Sequence, residues 1–189
     1  MQKNNQKIWI IGSPRSGTTF LTDLIGQKTK YCFNEPWDKY PLGKHNEWNL
    51  PDDGYLVFKY CANCFYYEEI KNLYPNSKWV YIVRDPIHIL YSMTFTKKTS
   101  YPNRIFFEDI QNTSKRIKRI IKMMNEYLKN CRKIKEALVI NYENINYEKL
   151  SNFLQIEVQK NNKFANRNKY FEKNKMKLLK FIANSKIIL

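Results

Sequence analysis

The chain has 189 residues, with 33 lysines and arginines against 17 aspartates and glutamates, and a formal net charge of +16 at pH 7. Its length is enough for one domain with a full hydrophobic core and leaves little room for a second, so residues 1–189 are expected to form a single domain. The charge favours anionic partners through long-range steering. A composition rich in Lys, Asn and Ile would raise the charge without any binding role.

The cysteine spacing and the hydropathy of the sequence argue against a zinc-binding protein and a membrane-spanning protein. Cys61 and Cys64 form a C-x-x-C motif with no second pair, so ordinary half-buried thiols are favoured over a zinc site with about four nitrogen or sulfur ligands. The N-terminus is polar, and no apolar run approaches the ~20 residues of a membrane span. The sequence therefore predicts a soluble cytoplasmic protein.

The first predicted strand, residues 7–12, leads through a glycine-containing loop into a predicted helix over 17–28. Free backbone N–H groups and the helix dipole at such a helix N-terminus favour a bound anion. The loop spacing matches the nucleoside-triphosphate loop G-x-x-x-x-G-K-[ST], except that Thr18 replaces its lysine and the cation lies inside the loop at Arg15. The loop reads Gly12-Ser13-Pro14-Arg15-Ser16-Gly17-Thr18-Thr19.

The next elements are a short extended segment at residues 31–34, a long loop over 35–53, a strand over 55–60 and a helix near 62–73. Prolines, glycines and the run Asp52-Asp53-Gly54 predict the long loop. Loops of this length are usually functional or mobile.

A second motif follows the apolar strand predicted over residues 79–83. That strand ends in Arg84-Asp85-Pro86, and Pro86 suits the first turn of a helix predicted over 86–97. Ser92 lies two turns into this helix.

Residues 109–135 give the clearest helix pattern in the chain. An apolar stripe recurs at helical spacing, and it consists of Ile117, Ile120, Ile121, Met124, Leu128 and Cys131. The remaining faces are basic, which favours a solvated surface over one that binds the acceptor or faces the nucleotide. A strand over 137–140, a helix ending near 153–154, a basic loop from 159 and a terminal helix near 172–183 complete the prediction.

Strands that alternate with helices predict an α/β fold, a single-domain P-loop-like architecture with a central parallel sheet and helices on both faces. In such folds the ligand lies at the carboxyl ends of the strands.

Taken together, residues 12–21 and 83–92 resemble the paired signatures of the sulfotransferases that use 3′-phosphoadenosine-5′-phosphosulfate (PAPS). The resemblance implies that the first loop holds the 5′-phosphosulfate and that the second motif binds the 3′-phosphate. It assigns PAPS as co-substrate, with no metal, because protein donors suffice for a sulfuryl group with one negative charge. The implied PAPS-binding residues are Arg15, Ser16, Gly17, Thr18, Thr19 and Phe20 from the first loop and helix, Arg84 and Ser92 from the second motif, and Arg167 from the C-terminal segment. A Phe on an amphipathic helix is more often part of the core, and the Arg-Lys-Gly signature that would support Arg167 is absent.

Glu35 is the candidate general base, with Arg15 and Lys59 as catalytic cations. The stretch Phe33-Asn34-Glu35-Pro36-Trp37 resembles the Glu-Pro of Golgi-type carbohydrate sulfotransferases, in which a glutamate takes the acceptor proton. The histidine-based cytosolic branch places its base two residues after a strand lysine, where this chain has Cys61. The alternatives are a surface carboxylate beside a turn proline for Glu35 and a solvent-reaching head for Lys59.

The resulting hypothesis is a PAPS-dependent sulfotransferase whose acceptor is a carbohydrate hydroxyl. A small ATP-dependent P-loop kinase is disfavoured by Thr18 at the lysine position and by the lack of an aspartate suited to Mg²⁺. A basic nucleic-acid-binding protein would leave both anion motifs unexplained. The Glu-Pro resemblance favours a glycan, with a protein tyrosine or a small alcohol as the open alternatives, and the sequence does not indicate an oligomeric state.

Overall fold

The computed structural model describes residues 6–36, 38–95 and 113–160. Within these ranges the strands are β1 (Gln6–Ile11), β2 (Tyr31–Asn34), β3 (Tyr55–Lys59), β4 (Lys78–Val83) and β5 (Leu138–Asn141). The α-helices are α1 (Thr18–Gly26), α2 (Tyr67–Leu73), α3 (Pro86–Phe95), α4 (Thr113–Cys131) and α5 (Tyr147–Leu154). Two 3₁₀ turns, His45–Glu47 and Cys61–Tyr66, precede β3 and α2 respectively.

The five strands form one sheet in the order β2-β3-β1-β4-β5, and every pairing is parallel. β1 lies at the centre, with Ile8 opposite Val57 of β3 on one side and Lys78 of β4 on the other. Parallel strands need crossover connections, and helices lie in those from β1 to β2, from β3 to β4 and from β4 to β5, whereas the loop over 35–53 connects β2 to β3. The predicted α/β fold with a central parallel sheet is confirmed.

Side chains of β1 alternate between two apolar layers because successive residues of a strand point to opposite faces. Ile8 and Ile10 belong to one buried cluster, which also contains residues of α1 and α5. Trp9 and Ile11 belong to the other, which contains residues of α2 and α4. Helices therefore cover both faces of the sheet, as the apolar run of β1 predicts.

The long loop over 35–53 is attached to the second layer by aromatic side chains. Trp48 stacks on Phe58 of β3, with ring centroids 5.0 Å apart and an interplanar angle of 17°. The indole N–H of Trp48 donates to the Pro41 carbonyl at 2.9 Å, and the Tyr60 hydroxyl donates to the Tyr40 carbonyl at 2.8 Å. These contacts hold the loop beside the carboxyl end of β3.

Two predicted helices differ from the structure in extent. The helix expected near 62–73 is divided, because a 3₁₀ turn over Cys61–Tyr66 precedes α2. The helix expected over 109–135 ends at Cys131, where the Ile134 N–H donates to the Cys131 carbonyl in a tighter turn. Residues 109–112, the end of the helix predicted over 86–97, and the predicted basic loop and terminal helix beyond 160 lie outside the described residues.

Helix α4 buries the apolar stripe that its sequence predicts. Ile117, Ile120 and Cys131 are fully buried, whereas Ile121, Met124 and Leu128 pack at the edges. Arg116 differs from the exposed lysines around it, because it is half-buried and donates to the Met93 carbonyl of α3 at 3.1 Å. A cation expected on the solvated face therefore joins α4 to α3.

The cysteines are not the half-buried thiols that the sequence suggests. Cys61, Cys64 and Cys131 are buried and Cys32 is exposed, all as free thiols. Within the described ranges, no three or more His, Cys, Asp or Glu side chains are grouped so that they could hold a metal ion.

Of the helices in the described ranges, none combines the length and apolar character that crossing a membrane requires.

Candidate active site at the carboxyl edge of the sheet

Each of the five strands ends at the same edge of the sheet, and each end carries a side chain or turn of the candidate site. Gly12 follows β1, Lys59 closes β3 and Arg84 follows β4. Glu35 follows the edge strand β2, and Tyr142 follows the opposite edge strand β5. Because the strands are parallel, residues distant in sequence meet here.

The loop between β1 and α1 has a positive φ at Arg15 and at Gly17. Arg15 has a φ of 69°, a left-handed conformation that costs free energy in a residue with a side chain. Gly17, the N-cap of α1, has a φ of 105° and no side chain that could cap the helix. The N–H groups of the first turn therefore have no side-chain cap from this residue, an arrangement that favours a bound anion.

Ser16 supplies a second, independent feature of this loop. It is 1% exposed, and its hydroxyl has no hydrogen-bond partner among the described residues. A buried hydroxyl without a partner is costly, so its position inside an anion-binding loop fits a ligand that accepts its hydrogen bond. The neighbouring Thr18 hydroxyl contacts the Cys61 thiol at 3.4 Å.

The two sequence motifs contact each other directly. The Arg15 Nε donates to the Ser92 hydroxyl of α3 at 2.9 Å. A guanidinium nitrogen of Arg84 donates to the Arg15 carbonyl at 3.2 Å. The cations of both motifs therefore lie within one site beside the N-terminus of α1.

Glu35 and Lys59 form an ion pair near the loop of residues 12–17 between β1 and α1, the anion loop. The Glu35 Oε1 lies 2.8 Å from the Lys59 Nζ, and the Glu35 N–H donates to the Lys59 carbonyl at 2.9 Å. Lys59 is only 4% exposed and also donates to the Thr19 hydroxyl of α1 at 3.3 Å. Glu35 has a φ of 51°, so its backbone is strained where its carboxylate meets the lysine.

Asp23 is a further charged residue near Lys59 that the sequence analysis did not identify. Burial raises the pKa of Asp23, and the Lys59 charge opposes that increase. Asp23 follows Thr19 by one helical turn of α1, and that spacing was its only sequence signal.

Tyr142, directly after β5, is a further residue of the site that the sequence analysis did not identify. Its ring lies against Gly17, where an added Cβ would come within 2.3 Å of the ring. Phe20 meets the same ring edge-on at 5.6 Å, and the Arg84 guanidinium lies 4.5 Å from its centroid. Tyr142 therefore links the N-terminus of α1 to the second motif.

The two histidines and Asp85, which are not among the predicted catalytic residues, have partners of their own. His45 is fully buried, with its Nδ1 3.0 Å from Glu69 of α2. His88 contacts Glu143 at 3.1 Å. The Asp85 carboxylate accepts the Ile87 N–H at 2.7 Å, which caps the start of α3. Arg167, predicted to reach the 3′-phosphate, lies outside the described residues.

Comparison with known proteins gives one family match. The sequence model of the sulfotransferase family matches residues 45–160, which is more than half of the chain. The matched segment contains Lys59, Arg84, Ser92 and the Tyr142-Glu143 pair, and it begins after the anion loop and Glu35. A search of curated proteins gives no significant match.

The contact between Gly17 and Tyr142 gives a testable prediction about stability. Gly17→Ala and Gly43→Ala both place a Cβ at positive φ, which costs about 1–2 kcal/mol in each case. At Gly43 the nearest atom is 3.8 Å away, whereas at Gly17 the Tyr142 ring must also move, which adds about 1–3 kcal/mol. Urea denaturation should therefore show the larger loss of unfolding free energy for Gly17→Ala. Equal losses in the two variants would contradict the described packing of Tyr142.

Proposed function

The chain belongs to the sulfotransferase family, and we propose that it transfers a sulfuryl group from PAPS to a hydroxyl of a carbohydrate, with Glu35 as general base. The observation that carries this proposal is the direct contact between the two motifs, in which Arg15 meets Ser92 and Arg84 meets the Arg15 carbonyl. A nucleotide with a 5′-phosphosulfate and a 3′-phosphate needs anion-binding groups for both ends within one site. These contacts bring the two sets of groups together.

The anion loop fits the 5′ end of the donor. The buried Ser16 hydroxyl, which has no partner among the described residues, and the first-turn N–H groups of α1 supply donors for phosphate or sulfate oxygens. Arg84 and Ser92 supply donors for the 3′-phosphate, with Arg84 as the charged partner. Phe20 and Tyr142 offer aromatic surface beside the same loop.

In the proposed reaction, the acceptor hydroxyl attacks sulfur in line with the bridging oxygen of the 5′-phosphosulfate. A new bond forms between the acceptor oxygen and sulfur, and the bond from sulfur to the bridging oxygen breaks with its electron pair. The acceptor proton passes to the Glu35 carboxylate, and adenosine 3′,5′-bisphosphate leaves. A base that acts in this step must lie within hydrogen-bond reach of the hydroxyl.

Glu35 is favoured as the base over the thiol that occupies the histidine position of the cytosolic branch. Burial raises the pKa of the Cys61 thiol, against a lowering by Lys59, so this group stays protonated at neutral pH. Its sulfur contacts the Thr18 hydroxyl. The Glu35 carboxylate, paired with Lys59, is a charged acceptor at the carboxyl edge of the sheet.

Positive charge for the transition state comes from the protein in this proposal. Lys59 hydrogen-bonds the Thr19 side chain in the first turn of α1, next to the loop assigned to the phosphosulfate. Arg15 and the N-terminus of α1 flank the same loop. Donors that are fixed before the reaction are usually the largest electrostatic contribution to catalysis.

The carbohydrate class of the acceptor rests on the Glu-Pro resemblance at Glu35 and Pro36. Transfer from labelled PAPS to a panel of glycans, tyrosine peptides and small alcohols tests it. Label in the glycans alone supports the proposal, and label in the peptides or alcohols alone replaces the acceptor class while leaving the donor assignment in place.

The preference for a 3′-phosphorylated nucleotide provides a prediction about binding. Arg84→Ala should weaken the binding of adenosine 3′,5′-bisphosphate by about ten- to a hundredfold, or 1.5–3 kcal/mol, because a charge-assisted contact to phosphate is lost. Binding of 5′-AMP, which lacks the 3′-phosphate, should change much less. Titration calorimetry measures both ligands, and exposed Arg132→Ala controls for the loss of one positive charge. An unchanged preference for the bisphosphate would remove Arg84 from its assigned role.

The assignment of Glu35 as general base provides a prediction about turnover. Glu35→Gln should lower kcat by about 10²–10⁴-fold and leave PAPS binding nearly intact, because a general base acts in the transition state. Steady-state kinetics with an acceptor found in the panel measures kcat, and calorimetry measures binding.

The matched control is Glu47→Gln, which removes the same charge from an exposed residue of the loop that follows Glu35. His45→Ala and His88→Ala should alter kcat only slightly in folded protein. Near-normal turnover of Glu35→Gln, with loss of turnover in either histidine variant, would assign the proton transfer to a histidine instead.

A further inference from the structure

The carboxylate of Glu143 lies against the cation assigned to the 3′-phosphate. Its Oε1 is 3.5 Å from the Arg84 Nε and 3.1 Å from the His88 Nδ1. The Glu143 N–H donates to the Asn141 side chain at 2.8 Å, which fixes the turn after β5. Glu143 is thus held at the second motif by its backbone, and its side chain extends between Arg84 and His88.

An anion that binds Arg84 must share the guanidinium with this carboxylate or displace it. The side chains of Arg84 and Glu143 are 15% and 30% exposed, so solvent screens their interaction only in part. A phosphate placed at Arg84 would meet a like charge at close range, and that repulsion weakens binding. His88 offers the carboxylate a second partner once the phosphate takes Arg84.

We propose that Glu143 is a specificity residue that competes with the 3′-phosphate for Arg84 and thereby limits the affinity of the 3′-phosphorylated nucleotide. This inference rests on the proposed function, because it takes Arg84 as the 3′-phosphate ligand. Glu143 then lowers the affinity for nucleotides that carry a 3′-phosphate and has little effect on the affinity for nucleotides that carry a 3′-hydroxyl.

The competition has a role in turnover because the reaction leaves the 3′-phosphate unchanged. The product adenosine 3′,5′-bisphosphate keeps every contact at Arg84 that the donor makes. A carboxylate that returns to Arg84 favours departure of the product, and because it acts on the 3′-phosphate that donor and product share, it leaves their relative affinities unchanged.

Titration calorimetry on the full chain tests this competition. Glu143→Gln preserves the size of the side chain and removes its charge. We expect it to bind adenosine 3′,5′-bisphosphate roughly three- to tenfold more tightly than the parent chain, with little change for 5′-AMP. Glu148→Gln removes the same charge from an exposed residue at the start of α5 and should leave both affinities unchanged.

The outcomes separate the two proposals. A parent chain that does not prefer the bisphosphate over 5′-AMP contradicts the PAPS assignment and this inference together. A parent chain with that preference, and a Glu143→Gln variant with the same or weaker bisphosphate affinity, overturns the inference alone. Equal tightening in Glu148→Gln also overturns it, because the effect would then be general charge.

Ionic strength supplies an independent measurement on the same proteins. The Debye length falls from about 10 Å at 0.1 M salt to about 3 Å at 1 M. If charge competition at Arg84 is responsible, the ratio of bisphosphate affinities between Glu143→Gln and the parent chain should fall toward one as salt is raised. A ratio that does not change with salt would contradict the competition.

Discussion

Burial of β1 on both faces is the constraint from which the rest of this architecture follows. Its residues 8–11 are inaccessible to solvent and pair with β3 on one side and β4 on the other. A strand that is apolar on both faces requires a covering layer on each, and the parallel crossovers provide helices for both. The same arrangement directs the loop after β1 into the crevice between its neighbouring strands, where ligands of such sheets bind.

Every cation of the candidate site has a partner from another part of the chain. Lys59 joins β3 to the loop after β2, Arg15 joins the first loop to α3, and Arg84 joins the second motif to the turn after β5. These contacts fix side chains that would otherwise lose rotamer entropy when they bind a ligand. The site is therefore organised by its own ion pairs and hydrogen bonds, and substrate anions must compete with some of them.

The fold and the local structure of the two motifs could be predicted because their signals are local. An apolar run followed by a glycine loop, or by Arg84-Asp85-Pro86, predicts a strand and the turn after it from a few consecutive residues. Tyr142, Asp23 and Arg116 could not be placed in the same way. Their roles depend on contacts with Gly17, Lys59 and the end of α3, which only the assembled sheet brings near. The division of the helix expected near 62–73 likewise arises where the chain turns tightly after β3.

The position of Glu35 on an outer strand has a consequence for how this protein can diversify. In the described sheet β2 pairs with β3 alone, and the strands that carry the anion loop and Arg84 lie further in. Insertions and exchanges are tolerated better at a sheet margin and in its loops than in a strand hydrogen-bonded on both sides. Under the proposed function, the proton-accepting side of the reaction can be remodelled for a new acceptor while the donor side is inherited unchanged.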